Sequence, residues 1–83
     1  MSTEFTYKIL VEPNINIIYK LRDYFKTFNC EVLASKNNDD RRVNAKSLIG
    51  ILSLDLRIKD KIILYFTEDV NVQDIKDYLN TIR

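Results

Sequence analysis

The chain is 83 residues long, the length of one small domain, and it is expected to fold as a single unit over residues 1–83. It carries 13 basic and 12 acidic side chains for a net charge of +1. That balance gives no electrostatic reason to expect nucleic acid or an anionic membrane as a partner. It has no histidine, which excludes imidazole bases, phosphohistidine and histidine-based metal sites. Cys30 is the only cysteine, so there can be no internal disulfide and no thiolate zinc site. A lone thiol beside Val32 reads as a small buried hydrophobe and suits a reducing cytoplasm, the expected location. The opening MSTEFTYK has neither a basic nor an apolar signal-peptide region. The longest apolar runs, such as IILYF, fall far short of the roughly 20 residues that span a bilayer.

Residues 4–11 alternate, with Phe5, Tyr7, Ile9 and Val11 on one side and Thr6 and Lys8 on the other. This predicts a strand with one buried face, broken by Glu12-Pro13-Asn14. Over 16–28 the period lengthens. Ile17, Ile18, Leu21, Tyr24, Phe25 and Phe28 form a helical seam, opposite Lys20, Arg22, Asp23 and Lys26, and Asn14 or Asn16 can cap it. Alternation returns at 30–36, where Cys30, Val32 and Ala34 share a face. Asn37 to Asp40 is a strong turn signal, and a short strand from Arg41 to Ala45 completes a hairpin. A short apolar helix over 47–53 follows, with Ser47 at its start. Ile62 to Thr67 is a strand, and 71–82 is a helix with the seam Val72, Ile75, Leu79 and Ile82. The order β-α-β-β-α-β-α predicts an α+β fold with a four-stranded antiparallel sheet and three helices on one face. The expected core is Phe5, Ile9, Leu21, Phe25, Val32, Ile51, Leu64, Ile75 and Leu79.

The residues offer no catalytic machinery. The single glycine, Gly50, falls inside a helix, so there is no phosphate-binding glycine loop. The pairs Asp39/Asp40, Glu68/Asp69 and Asp74/Asp77 lie in polar stretches, which lack the apolar surroundings that raise a catalytic carboxyl's pKa. No catalytic residue, metal ligand or cofactor is expected, and the chain is not expected to be an enzyme.

The segment VNAKSLIGILSLDL, residues 43–56, resembles the second-helix region of the HPr family, the phosphocarriers of the sugar phosphotransferase system. The order of elements matches that family's open-faced sandwich along the whole chain. The active-site loop does not match. The family places Gly-apolar-His-small-Arg-Pro after the first strand; counting from Pro13-Asn14, Ile17 takes the histidine position, Tyr19 the arginine position and Lys20 the proline position. The pattern is similar to Crh-like members, catabolite-repression homologues that lack the histidine and keep the serine.

The resemblance implies a protein that does not carry phosphate on histidine. It implies regulatory phosphorylation of Ser47 by an HPr kinase/phosphorylase, with a LacI-type catabolite regulator as a second protein partner. It also implies docking through exposed apolar residues of the second helix, namely Leu48, Ile49 and Leu52. Leu48 and Leu52 are four apart and share a face. Ile17 and Tyr19 would extend that patch if exposed. The alternative is an interaction module on the same scaffold that is never phosphorylated. A monomer or weak dimer is expected.

Overall fold

A computed structural model describes residues 2–37 and 40–82 of the chain. The elements are β1 (Thr3–Lys8), α1 (Ile15–Phe25), β2 (Val32–Lys36), β3 (Val43–Asn44), α2 (Leu48–Leu52), β4 (Lys61–Phe66) and α3 (Val72–Thr81). The four strands form one sheet in the order β1-β4-β2-β3, and every neighbouring pair is antiparallel. β4 is the last strand in sequence, yet it inserts between β1 and β2. The chain therefore makes two interlocked β-α-β crossovers, β1-α1-β2 and β3-α2-β4.

The alternating residues define the two faces. Phe5, Val32, Ala34, Ile62, Leu64 and Phe66 are buried and form the core with Leu21 and Phe25 of α1 and Ile75 and Leu79 of α3. All nine expected core residues are buried, and Cys30 is buried as a free thiol. The other face carries Thr6, Leu33, Ile63 and Tyr65. Ser35 is wholly buried there, with its hydroxyl 3.4 Å from that of Tyr65. The Arg42 guanidinium lies over the Tyr65 ring, 3.8 Å from its centroid.

The element ends differ from the sequence expectation for identifiable reasons. β1 stops at Lys8 rather than residue 11, because its partner β4 begins at Lys61 and leaves nothing to pair beyond. Ile9 still donates its N–H to the Asp60 carbonyl at 2.8 Å, after which the chain turns away. α1 stops at Phe25 rather than Phe28, because the Thr27 hydroxyl and N–H both donate to the Tyr24 carbonyl and close a tight turn. Phe28 nevertheless packs edge-on against Tyr24 and lies 5.1 Å from Phe66. β3 is reduced to two residues, since Arg41 and Arg42 leave the ladder; Arg41 instead donates to the Ser53 carbonyl at 2.7 Å. The turn signal at Asn37 to Asp40 falls partly outside the described residues.

Candidate functional site

α2 is fixed at both ends by serines. Ser47 is extended, and its Oγ accepts the Gly50 N–H at 3.2 Å, so it serves as the N-cap. Ser53 donates its hydroxyl to the Gly50 carbonyl at 2.6 Å. Just before the helix, the Asn44 Oδ1 accepts the Lys46 N–H, and the Lys46 ammonium donates to the Phe28 carbonyl at 2.6 Å. The lysine thus ties the start of α2 to the turn that ends α1.

Five residues make little more than one turn, so α2 can bury only one side. Ile51 points inward and is 1% exposed, while Ile49 is 80% and Leu52 46% exposed. Leu48 and Ser47 are half-buried. α1 packs against α2 and presents Ile15 and Tyr19 to solvent, with the Arg22 guanidinium 5.5 Å from the Tyr19 ring centroid. The start of α1 is capped by Asn14, whose Oδ1 accepts the Ile17 N–H and whose carbonyl accepts the Ile18 N–H.

Ile17 does not extend the exposed patch. It is 6% exposed and lines an apolar cavity of about 30 Å³ together with Ile9, Pro13, Leu21, Phe25 and Leu79. The helical seam that includes Ile17 wins, because burying a branched aliphatic side chain is worth about 1.5–3 kcal/mol over leaving it in water. Ile15, and not Ile17, takes the solvent position. Side chains lean toward the N-terminus of a helix, so one in the first turn reaches past the helix end with no preceding turn to lie on. The position of Ile15 directly after the Asn14 cap is the sequence signal for that exposure.

Among the described residues, no cluster of cysteine or carboxylate side chains could hold a metal ion. None of their helices is long and apolar enough to cross a membrane.

A family model for the HPr component phosphorylation site of the phosphotransferase system matches residues 16–81. The chain belongs to the HPr family. Solved HPr structures have the same fold. HPr-C-His from Thermoanaerobacter tengcongensis superposes with a TM-score of 0.70 at 21% identity, covering 99% of this chain and 90% of that one. The phosphocarrier protein HPr of Bacillus anthracis gives 0.76 at 19% identity, with 94% and 92% covered. The histidine-containing phosphocarrier protein of Mycoplasma gives 0.71 at 14% identity, with 89% and 84% covered. No curated protein matches the sequence. Ile17, in the first turn of α1, is buried, and the sequence contains no histidine.

Proposed function

We propose that this HPr-family chain is a regulatory protein rather than a histidine phosphocarrier, phosphorylated on Ser47 and docking protein partners through α2 and the start of α1. The observation that carries the reading is Ser47 at the cap of a helix whose adjacent side chains, Ile49 and Leu52, are large, apolar and exposed. A phosphate there would add about −1.5 to −2 charges beside backbone N–H groups and next to Lys46, a favourable place for an anion. Exposed apolar residues beside an ionisable switch suit a surface whose affinity is set by charge. Leu48, Ile49, Leu52 and Tyr19 make up that surface. The partners would be an HPr kinase/phosphorylase and a LacI-type catabolite regulator, as for Crh-like relatives.

A second reading keeps the docking surface without the phosphate. The Ser47 hydroxyl already has a structural task in capping α2, which by itself accounts for a serine at this position.

Incubation with an HPr kinase and ATP separates the two. Stoichiometric phosphate that is lost in Ser47→Ala supports the first reading, and an unlabelled protein supports the second. With enzyme I and phosphoenolpyruvate the chain should take up no acid-labile phosphate; any such label overturns both. Ile17→His should not restore transfer, because an imidazole at that position is buried among hydrocarbon, and Tyr19 and Lys20 stand where the family has arginine and proline.

A further inference from the structure

The loop that enters β4 holds a lysine where glycine is the ordinary choice. The Lys59 N–H donates to the Ile9 carbonyl at 2.7 Å, and the Ile9 N–H donates to the Asp60 carbonyl at 2.8 Å. Ile9 thus faces two residues of the incoming segment, a bulge whose first residue is ordinarily glycine at positive φ. Lys59 fills that place with φ at 74°. It is also the third residue of the turn closed by the Asp60 N–H on the Arg57 carbonyl, another position that favours glycine. A long side chain in this left-handed region costs stability. The Lys59 side chain offsets none of that cost within the described fold, for it is exposed and joins no ion pair there.

The bulge lays residues 8–10 beside residues 58–61. Lys8 and Lys61 stand directly opposite each other across β1 and β4, where like charges repel. Both are exposed, and among the described residues neither is in an ion pair. Leu10 and Ile58, in the same two segments, are 61% and 46% exposed. Of the acids nearby, Asp60 is paired with Lys36 and Asp55 with Arg57. Asp39 and Asp40 in the turn after β2 are matched in number by Arg41 and Arg42. Glu12 is exposed and unpaired among the described residues, one carboxylate against three ammonium groups. The far end of the β1–β4 pair has the other sign. Thr67 bonds the backbone of Glu31 there, Glu68 and Asp69 follow, and all three acids are exposed. β4 has six residues, so the two ends stand about 20 Å apart, well beyond the roughly 8 Å over which charges act in physiological salt. The net charge of +1 averages two ends that a partner meets separately.

We infer that residues 8–10 and 58–61 form a peripheral docking surface for a bilayer containing anionic lipid, with Lys8, Lys59 and Lys61 at the lipid phosphates and Leu10 and Ile58 entering the acyl boundary. Each signal is weak alone; basic charge and apolar side chains together hold a protein at a bilayer. An extended anionic plane is the occupant that suits both ends of the sheet. It attracts the lysine end and repels the acidic end, so one orientation persists, and that orientation turns Leu10 and Ile58 to the membrane. An acidic peptide in solution would satisfy the lysines and leave the two aliphatic side chains in water. The surface uses neither Ser47 nor the α2 side chains, so it stands whatever the outcome for Ser47.

Co-sedimentation at low salt should recover the chain with vesicles of mixed phosphatidylcholine and phosphatidylserine, and not with phosphatidylcholine alone; added salt should release it. Lys8→Gln and Lys61→Gln should each weaken the partition about fivefold. Lys59→Gly should weaken it as much while the protein melts at or above the temperature of the unaltered chain, because glycine relieves the positive φ. That pairing of effects would not arise if the lysine served the fold. Leu10→Ser with Ile58→Ser should weaken the partition about tenfold or more. If the serine pair melts lower, Lys59→Gly still decides. Lys26→Gln, at the far end of α1, should leave the partition unchanged. A chain that stays in the supernatant with both kinds of vesicle overturns the inference. So does a partition that Lys59→Gly leaves intact. Binding that needs the lysines but not Leu10 and Ile58, and that poly-glutamate in solution competes away, assigns the surface to an acidic protein and overturns it as well.

Discussion

Gly50 stands where α2 passes close to the end of β3. A Cβ added there would lie 2.6 Å from the Asn44 carbonyl oxygen, closer than such atoms approach without the backbone moving. Alanine is the better helix former by about 1 kcal/mol, but forcing an atom into a packed backbone contact costs typically about 1–3 kcal/mol. The steric term should win. Gly50→Ala is expected to lower stability in urea unfolding, and a gain in stability would show that α2 can lift off β3. The absence of a Cβ thus serves close approach, since Gly50 does not have a positive φ. Among the described residues, those that do are Asn37, Asp55 and Lys59, and two of these are types whose short polar side chains tolerate that region.

Asp60 ends the loop that leads into β4 and holds it to the end of β2. Its Oδ2 accepts the Arg57 N–H at 2.8 Å, and its Oδ1 accepts from the Asn37 amide at 3.4 Å, with the Lys36 ammonium 3.8 Å from Oδ2. Asn37 completes the junction by accepting the Lys61 N–H at 2.9 Å. The backbone bond from Arg57 is the main reason the Asp60 carboxyl titrates below its ordinary 3.8; Asn37, Lys36 and the Arg57 charge add to it, against a smaller opposing effect of burial. A lowered carboxyl pKa means the unfolded chain binds the proton more tightly. The stabilisation is therefore present above pH 3.8 and is lost as pH falls through the lower folded value. Urea midpoints measured from neutral pH downward should show this loss, and Asp60→Asn should flatten that part of the profile. At the other end of the molecule, α1 and α3 meet through Tyr24 and Tyr78, stacked at 3.9 Å. Burial, then Asp74, then Tyr78 raise the Tyr24 phenol above its ordinary value.

Across the whole molecule, one short helix contributes both to the fold and to the proposed docking surface. Ile51 anchors α2 and should behave as core, so Ile51→Ala is expected to cost about 2–5 kcal/mol. Ile49 and Leu52 are exposed, and replacing both with serine should change stability by only about 0.5 kcal/mol per site. For a domain near this size, each 1 kcal/mol corresponds to about 4–8 °C in melting temperature. Thermal unfolding should therefore separate the two variants by many degrees. If the double serine variant melts as low as Ile51→Ala, those side chains are core and the docking surface is wrong. If it melts normally, its binding to an HPr kinase or a catabolite regulator can be read as an effect on the surface alone.

Period and turn chemistry in the sequence determined the elements, their order and the nine core positions, because alternation and helical spacing are local consequences of which face must leave water. The motif around Ser47 was equally legible, since a serine before an apolar run states its own capping role. The strand order was decided by tertiary structure: nothing local says that β4 inserts between β1 and β2. The shortened ends of β1, α1 and β3 follow from where partners run out, as at Lys61 and at the Thr27 turn. Ile17 and Ile15 show the same division. Both are isoleucines at the start of one helix; helical spacing put Ile17 in the core-facing seam, while the family resemblance would have extended the exposed patch to it, and the structure decided between the two. Their burial depends on where α3 and the sheet stand relative to the helix start, and that depends on contacts between residues far apart in the chain.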